Sequence, residues 1–183
     1  NGGIAHWSED DIFEFLKYGR AKHTAPMQRM GEVVSISTQF LEEKDLRSVA
    51  TYLKTLDDTA RAAEEAPETA RMEAGEGLYF DNCAACHVAD ASGVPYFFAP
   101  LSTSNKLHAK DPSTAIRVIL GGARAQPTET IPSMLAMPPF AWKLTDTQIA
   151  DLLTYLRNTG DRQSGAVSAE AVAEMRKYLA EEY

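Results

Sequence analysis

The chain has 183 residues, 44% hydrophobic and 24% charged, with a formal net charge of -8. This is the composition of an ordinary globular protein of one or two small domains, with no run near the ~20 apolar residues of a membrane span. The acidic balance excludes nucleic acid as a partner, since a phosphate backbone needs a basic surface, and argues against simple electrostatic attachment to anionic lipid.

In chain order, the first residues lack the basic and apolar regions of a signal peptide. The chain therefore reads as mature, or as starting partway through a longer one. Residues 7–18 predict a helix, with Ser8 as N-cap, Asp11 three residues on, and Ile12, Phe13, Phe15 and Leu16 as its apolar face. Gly19 ends it, and a loop rich in Met and Gly runs to Gly31. Residues 44–56 predict a second helix. Residues 57–69 are acidic and Ala-rich with Pro67, and read as a partly helical linker.

A helix over 72–81 leads straight into Cys83, and 88–110 is a long loop. Pro112 opens a helix that ends near Gly121-Gly122, and the loop 123–143 holds four prolines. Residues 145–158 form a strong helix, with Thr145 and Gln148 as a capping box and Gly160 beyond its end. A last helix starts at Ser168, with Val172, Met175 and Leu179 as a narrow docking stripe. No strand is predicted, so the class is all-α. The organisation is 1–57 as a first segment, 58–70 as linker, 71–160 as a complete domain and 161–183 as an extension.

The two segments repeat. Thr51-Tyr52-Leu53 falls on Thr154-Tyr155-Leu156 at an offset of 103 residues. At the same offset Gly19 falls on Gly122, and Phe15 and Leu16 fall on Val118 and Ile119. The first segment thus reads as the back half of a domain whose front half lies upstream.

Both cysteines lie in Cys83-Ala84-Ala85-Cys86-His87. Haem attachment uses all of this motif. Two thiols, one helical turn apart, add to the two vinyl groups, and the following histidine ligates the iron. A redox disulfide leaves His87 unexplained and lacks a βαβ setting. Zinc wants about four ligands, and a second Cys pair is absent.

A sixth iron ligand is expected from a later loop. Met137 lies 50 residues after His87, before prolines that stiffen its loop, with Met134 as the competitor. His108 is a weaker alternative, as a loop histidine is usually solvated. The Pro100 carbonyl is the expected acceptor for the second nitrogen of His87. Gly75 and Tyr79 are placed to pack against Tyr155. Arg117 and Arg124 are candidate partners for the haem propionates.

The motifs G-x-x-x-Y, C-x-x-C-H, P-L and M-P-x-F, followed by Leu144 to Arg157, resemble a class I cytochrome c domain over residues 72–160. The longer loops, SGVPYFFAPLSTS, RVILGGARAQPT and MPPFAWKLTDTQIADLLTYLRN, resemble the third haem domain of tri-haem cytochrome subunits. These serve membrane-associated bacterial alcohol, aldehyde, polyol and gluconate dehydrogenases. Residues 6–56 resemble the end of the second haem domain of the same subunits. The resemblance implies one haem c held by this chain and an electron-transfer role without catalysis of its own. It implies a dehydrogenase catalytic subunit as donor, ubiquinone or a terminal oxidase as acceptor, and the periplasmic face of the membrane.

It also implies that Met30, or alternatively Met27, is the axial ligand of a preceding haem. The chain departs from the family in lacking the Cys, Cys and His for that haem, so it reads as a fragment in preference to a chain that lost the site. The matching motif is expected roughly twenty residues upstream of Asn1. Two rivals stand beside this reading. One is a soluble shuttle cytochrome or oxidase subunit. The other is a haem sensor or peroxidase-like enzyme with an open axial position.

Overall fold

Capping decides where the first segment's helices begin. The structure is a computed structural model that describes residues 4, 7–22, 24, 28–56, 64–132, 135–159 and 163–182. Met27, Met134, Gly160 and residues 58–63 of the expected linker lie outside the described residues. Helix α1 (Glu9–Tyr18) starts at Ser8, whose hydroxyl accepts from the Asp11 amide, while the Asp11 carboxylate accepts from the Ser8 amide at 2.9 Å. Gly19, with φ 66°, closes it by donating to the Phe15 carbonyl. Helix α2 (Gln28–Ile36) occupies part of the expected Met-rich loop, and a short 3-10 turn (Thr38–Phe40) follows it. Helix α3 (Glu43–Lys54) buries Leu46 and Ala50 against α1.

The second segment has the larger core. Helix α4 (Thr69–Asn82) runs into the single-turn helix α5 (Ala84–His87). Helix α6 (Ser113–Gly121) follows a long loop, and α7 (Asp146–Asn158) follows another. α7 opens on the expected Thr145–Gln148 capping box. Helix α8 (Ala169–Glu182) lays Val172, Met175 and Leu179 on this core. α7 packs most extensively on α4, then on α8. The crossing of α4 and α7 depends on Gly75. A Cβ there would lie 2.3 Å from the Asp151 carbonyl oxygen and 2.6 Å from Tyr155 Cβ.

The repeat is visible in the helices. Moved by 103 residues, α3 starts where α7 starts, and α1 ends where α6 ends, each followed by a glycine of positive φ. The correspondence stops between them: α2 is helical, whereas the described residues of the matching stretch in the second segment form no helix. There, two short strands, β1 (Ala123–Arg124) and β2 (Ala136–Met137), pair antiparallel. The class remains all-α, but the loop expected over 123–143 is stitched by this ladder. Among the described residues, no helix is long and apolar enough to cross a membrane.

Candidate functional site

One apolar cavity gathers the chemistry. Cys83, Cys86, His87, Met137, Pro138 and Phe140 all line it. The single turn of α5 sets the place of the first three. The His87 amide donates to the Cys83 carbonyl at 2.9 Å, and the Cys86 amide to the same carbonyl at 3.1 Å. Both thiols are free, Cys83 half-buried and Cys86 exposed. Burial first, and then the neighbouring Cys86, push the Cys83 thiol up to about 11, partly offset by Lys143.

His87 is oriented by a backbone acceptor. Its Nδ1 lies 2.9 Å from the Ala99 carbonyl oxygen. With Nδ1–H donating there, Nε2 is left with its lone pair for a metal. Burial lowers the imidazole's pKa, and the bond to Ala99 opposes that shift. The acceptor is therefore Ala99, not Pro100 as the sequence suggested. Proline acts one residue earlier, because its ring pushes the preceding residue toward extended backbone. Tyr79 is fully buried. It meets the Tyr155 ring at 5.9 Å, and its hydroxyl donates to the Val88 carbonyl. Val88, with φ 66° and ψ 157°, is held in a conformation that bulky residues avoid. Tyr79 and the Ala99 carbonyl thus hold both sides of the turn that carries His87.

Met137 is positioned by β2. It pairs with Ala123, and both line the cavity. Gly122 permits this closeness: a Cβ there would stand 2.7 Å from the Met137 carbonyl oxygen. The loop beyond is fastened by Phe140, which donates to the Ile119 carbonyl, and by Arg176 of α8, which donates to the Ala141 and Leu144 carbonyls. Lys143 donates to Asn82 at 2.5 Å, tying this loop to the residue before Cys83.

Several expected residues sit elsewhere. Strand alternation sends Arg124 away from Ala123 and Ala125, which line the cavity. Arg124 instead borders a separate groove with Arg117 and Arg176, and Arg117 lies 5.9 Å from the Tyr178 ring. Neither arginine faces the cavity where propionates were expected to meet them. His108 is not solvated: it is buried, with its ring nitrogens 3.0 Å from Ser164 Oγ and 3.2 Å from the Ser102 carbonyl oxygen. Met30 is partly exposed on α2 and borders a second apolar cavity. Sequence reasoning missed that Ala21, Lys22 and Thr24 of the first segment line the cavity of the second.

The donor set fits a covalently attached haem. Two thiols, an imidazole with its second nitrogen committed and a methionine line one apolar cavity. A haem's flat hydrocarbon body is suited to such a lining.

Comparison with known proteins agrees. The family model described as Cytochrome c matches residues 72–160. The chain is 36% identical over 186 residues to the cytochrome c subunit of the alcohol dehydrogenase (quinone) of Gluconacetobacter polyoxogenes, covering 95% of this chain and 40% of that one. It is 33% identical to the gluconate 2-dehydrogenase cytochrome c subunit of Pantoea cypripedii, covering 96% of this chain and 42% of that one. A Cbb3-type cytochrome c oxidase subunit of Azospirillum brasilense is 28% identical over 66% of this chain and 37% of its own. The chain thus spans about two-fifths of the length of the two dehydrogenase subunits. With the motif, the cavity and the helical frame in agreement, residues 72–160 are a cytochrome c domain of the class I fold, in a chain similar over nearly all its length to part of the cytochrome c subunits of dehydrogenases.

Proposed function

We propose that the chain transfers electrons through one haem c. Cys83 and Cys86 would hold it covalently, and His87 and Met137 would ligate its iron. The observation that carries this reading is the convergence of all four residues on one apolar cavity, with His87 Nδ1 already bonded to Ala99. A thioether opposite the imidazole favours ferrous iron and leaves no open position for substrate, so the chain is an electron carrier and not a catalyst.

The relatives support a place in a dehydrogenase complex. Electrons would come from a catalytic subunit and go to ubiquinone or another respiratory acceptor, at the periplasmic face of the membrane. Similarity to a Cbb3-type oxidase subunit supports a terminal oxidase as the alternative partner. We further propose that residues 1–57 are the back half of a preceding haem unit, followed by a linker at 58–70, with 161–183 as an extension of the domain at 71–160. The shared helix boundaries at the 103-residue offset support this division. In that unit Met30, beside the second cavity, would ligate the iron of a second haem.

The test is a pyridine haemochrome assay with visible spectra of wild type and Met137→Ala. One haem per chain and a methionine-to-iron charge-transfer band are expected. Met137→Ala should lose that band, lower the potential and bind carbon monoxide when reduced. A wild type without haem overturns the reading, and an unchanged Met137→Ala spectrum overturns the ligand assignment.

A further inference from the structure

The two segments exchange wall residues. Ala21 and Thr24 are joined by two backbone hydrogen bonds, of 2.9 and 3.3 Å. Ala21, Lys22 and Thr24 line the cavity that holds Cys83, Cys86, His87 and Met137. Thr24 also lines the second cavity, beside Met30. In return, Thr103 to Lys106 of the second segment line that second cavity. The arrangement is fixed by direct bonds between segments. Thr128 Oγ1 donates to the Tyr18 carbonyl at 3.3 Å, and the Glu129 amide donates to Gln39 Oε1 at 2.8 Å.

Lys22 is distinctive in this wall. Among the described residues lining the first cavity, it alone carries a formal charge at neutral pH with His87 neutral. Arg117, Arg124 and Arg176 border the separate groove, and Lys143 is bonded to Asn82 at the cavity's edge. The remaining lining is mostly apolar, but Lys22 is itself exposed at the cavity's rim, so solvent and salt partly screen its charge and its field is strongest at low ionic strength. Haem iron gains one positive charge on oxidation. A cation beside it disfavours the oxidised state and so raises the potential.

We propose that Lys22, brought in by the first segment, sets the reduction potential of the haem held by Cys83, Cys86 and His87. The first segment then acts as a tuning wall for the second segment's redox centre. This rests on the haem-binding reading above and adds to it a residue that no sequence motif marks.

The experiment is a redox titration of the haem-loaded 183-residue chain with Lys22→Arg, Lys22→Gln and Lys22→Glu, and with Arg124→Gln as a surface-charge control. Lys22→Gln should reduce the one-electron reduction equilibrium constant about threefold at low salt, and Lys22→Glu should reduce it further. Lys22→Arg and Arg124→Gln should stay close to wild type. The difference between Lys22 and Gln should shrink at high salt, as a field effect does and a packing defect does not. If haem is bound and the Arg, Gln and Glu variants do not fall in that order, the inference fails alone. It also fails if Arg124→Gln shifts the potential as far as Lys22→Gln, or if the shift ignores salt. A chain without haem removes the haem reading and this inference together.

Discussion

Cys83 and Cys86 stand one helical turn apart but in different surroundings. Cys86 is exposed, whereas Cys83 is half-buried, with its thiol pushed up to about 11 chiefly by desolvation. The thiolate is the reactive form, so before haem attachment the two should react unequally. With iodoacetamide at pH 8, Cys86 is expected to be alkylated first, and peptide mass mapping over time checks the order. The same shift gives a sign for the pH dependence of the haem-free fold. The folded thiol keeps its proton to higher pH than the unfolded one, whose ordinary value is 9.0. Its contribution to stability is complete below that value and is lost as pH rises through about 11. Denaturant midpoints of the haem-free chain between pH 8 and 11 should therefore fall, and those of Cys83→Ser should fall less.

At the scale of elements, the crossing of α4 and α7 is the joint that brings the ends of the domain together. Gly75→Ala forces a methyl against the Asp151 carbonyl and Tyr155. Such overpacking costs ~1–3 kcal/mol, so the thermal midpoint should fall, whereas Gly77→Ala, where an added Cβ meets nothing, should not lower it. Helices α1 and α7 were legible in the sequence because caps and periodicity agree along them: Ser8 with Asp11, Thr145 with Gln148, the leucines of α7. α2 was not legible. It has no matching cap signal, it contains Gly31, and its Val33 and Ile36 remain exposed, so no one-sided stripe marks it. A ladder of two residues per strand is too short to show a period at all. In the site, Cys83, Cys86 and His87 were legible because they are contiguous. The Ala99 acceptor, the outward turn of Arg124 and the cavity residues Ala21, Lys22 and Thr24 depend on local backbone direction and on how the segments meet. No pattern of single residues encodes those.

For the whole molecule, the internal repeat compares one helix in two settings. Leu152 on α7 is 1% exposed, while Val49, its counterpart on α3, is 40% exposed. Tyr155 is partly covered by α4, while its counterpart Tyr52 is 64% exposed. Similar helices therefore bury different amounts of apolar surface, and α4 with α8 accounts for the difference. In colloidal terms, α3 carries a sticky stripe on an otherwise repulsive particle of net charge -8. Added salt weakens the repulsion and leaves the stripe, so the chain's second virial coefficient should fall steeply as ionic strength rises. Light scattering of wild type against Val49→Lys/Tyr52→Lys checks this, the double variant being expected to stay dispersed where the wild type associates.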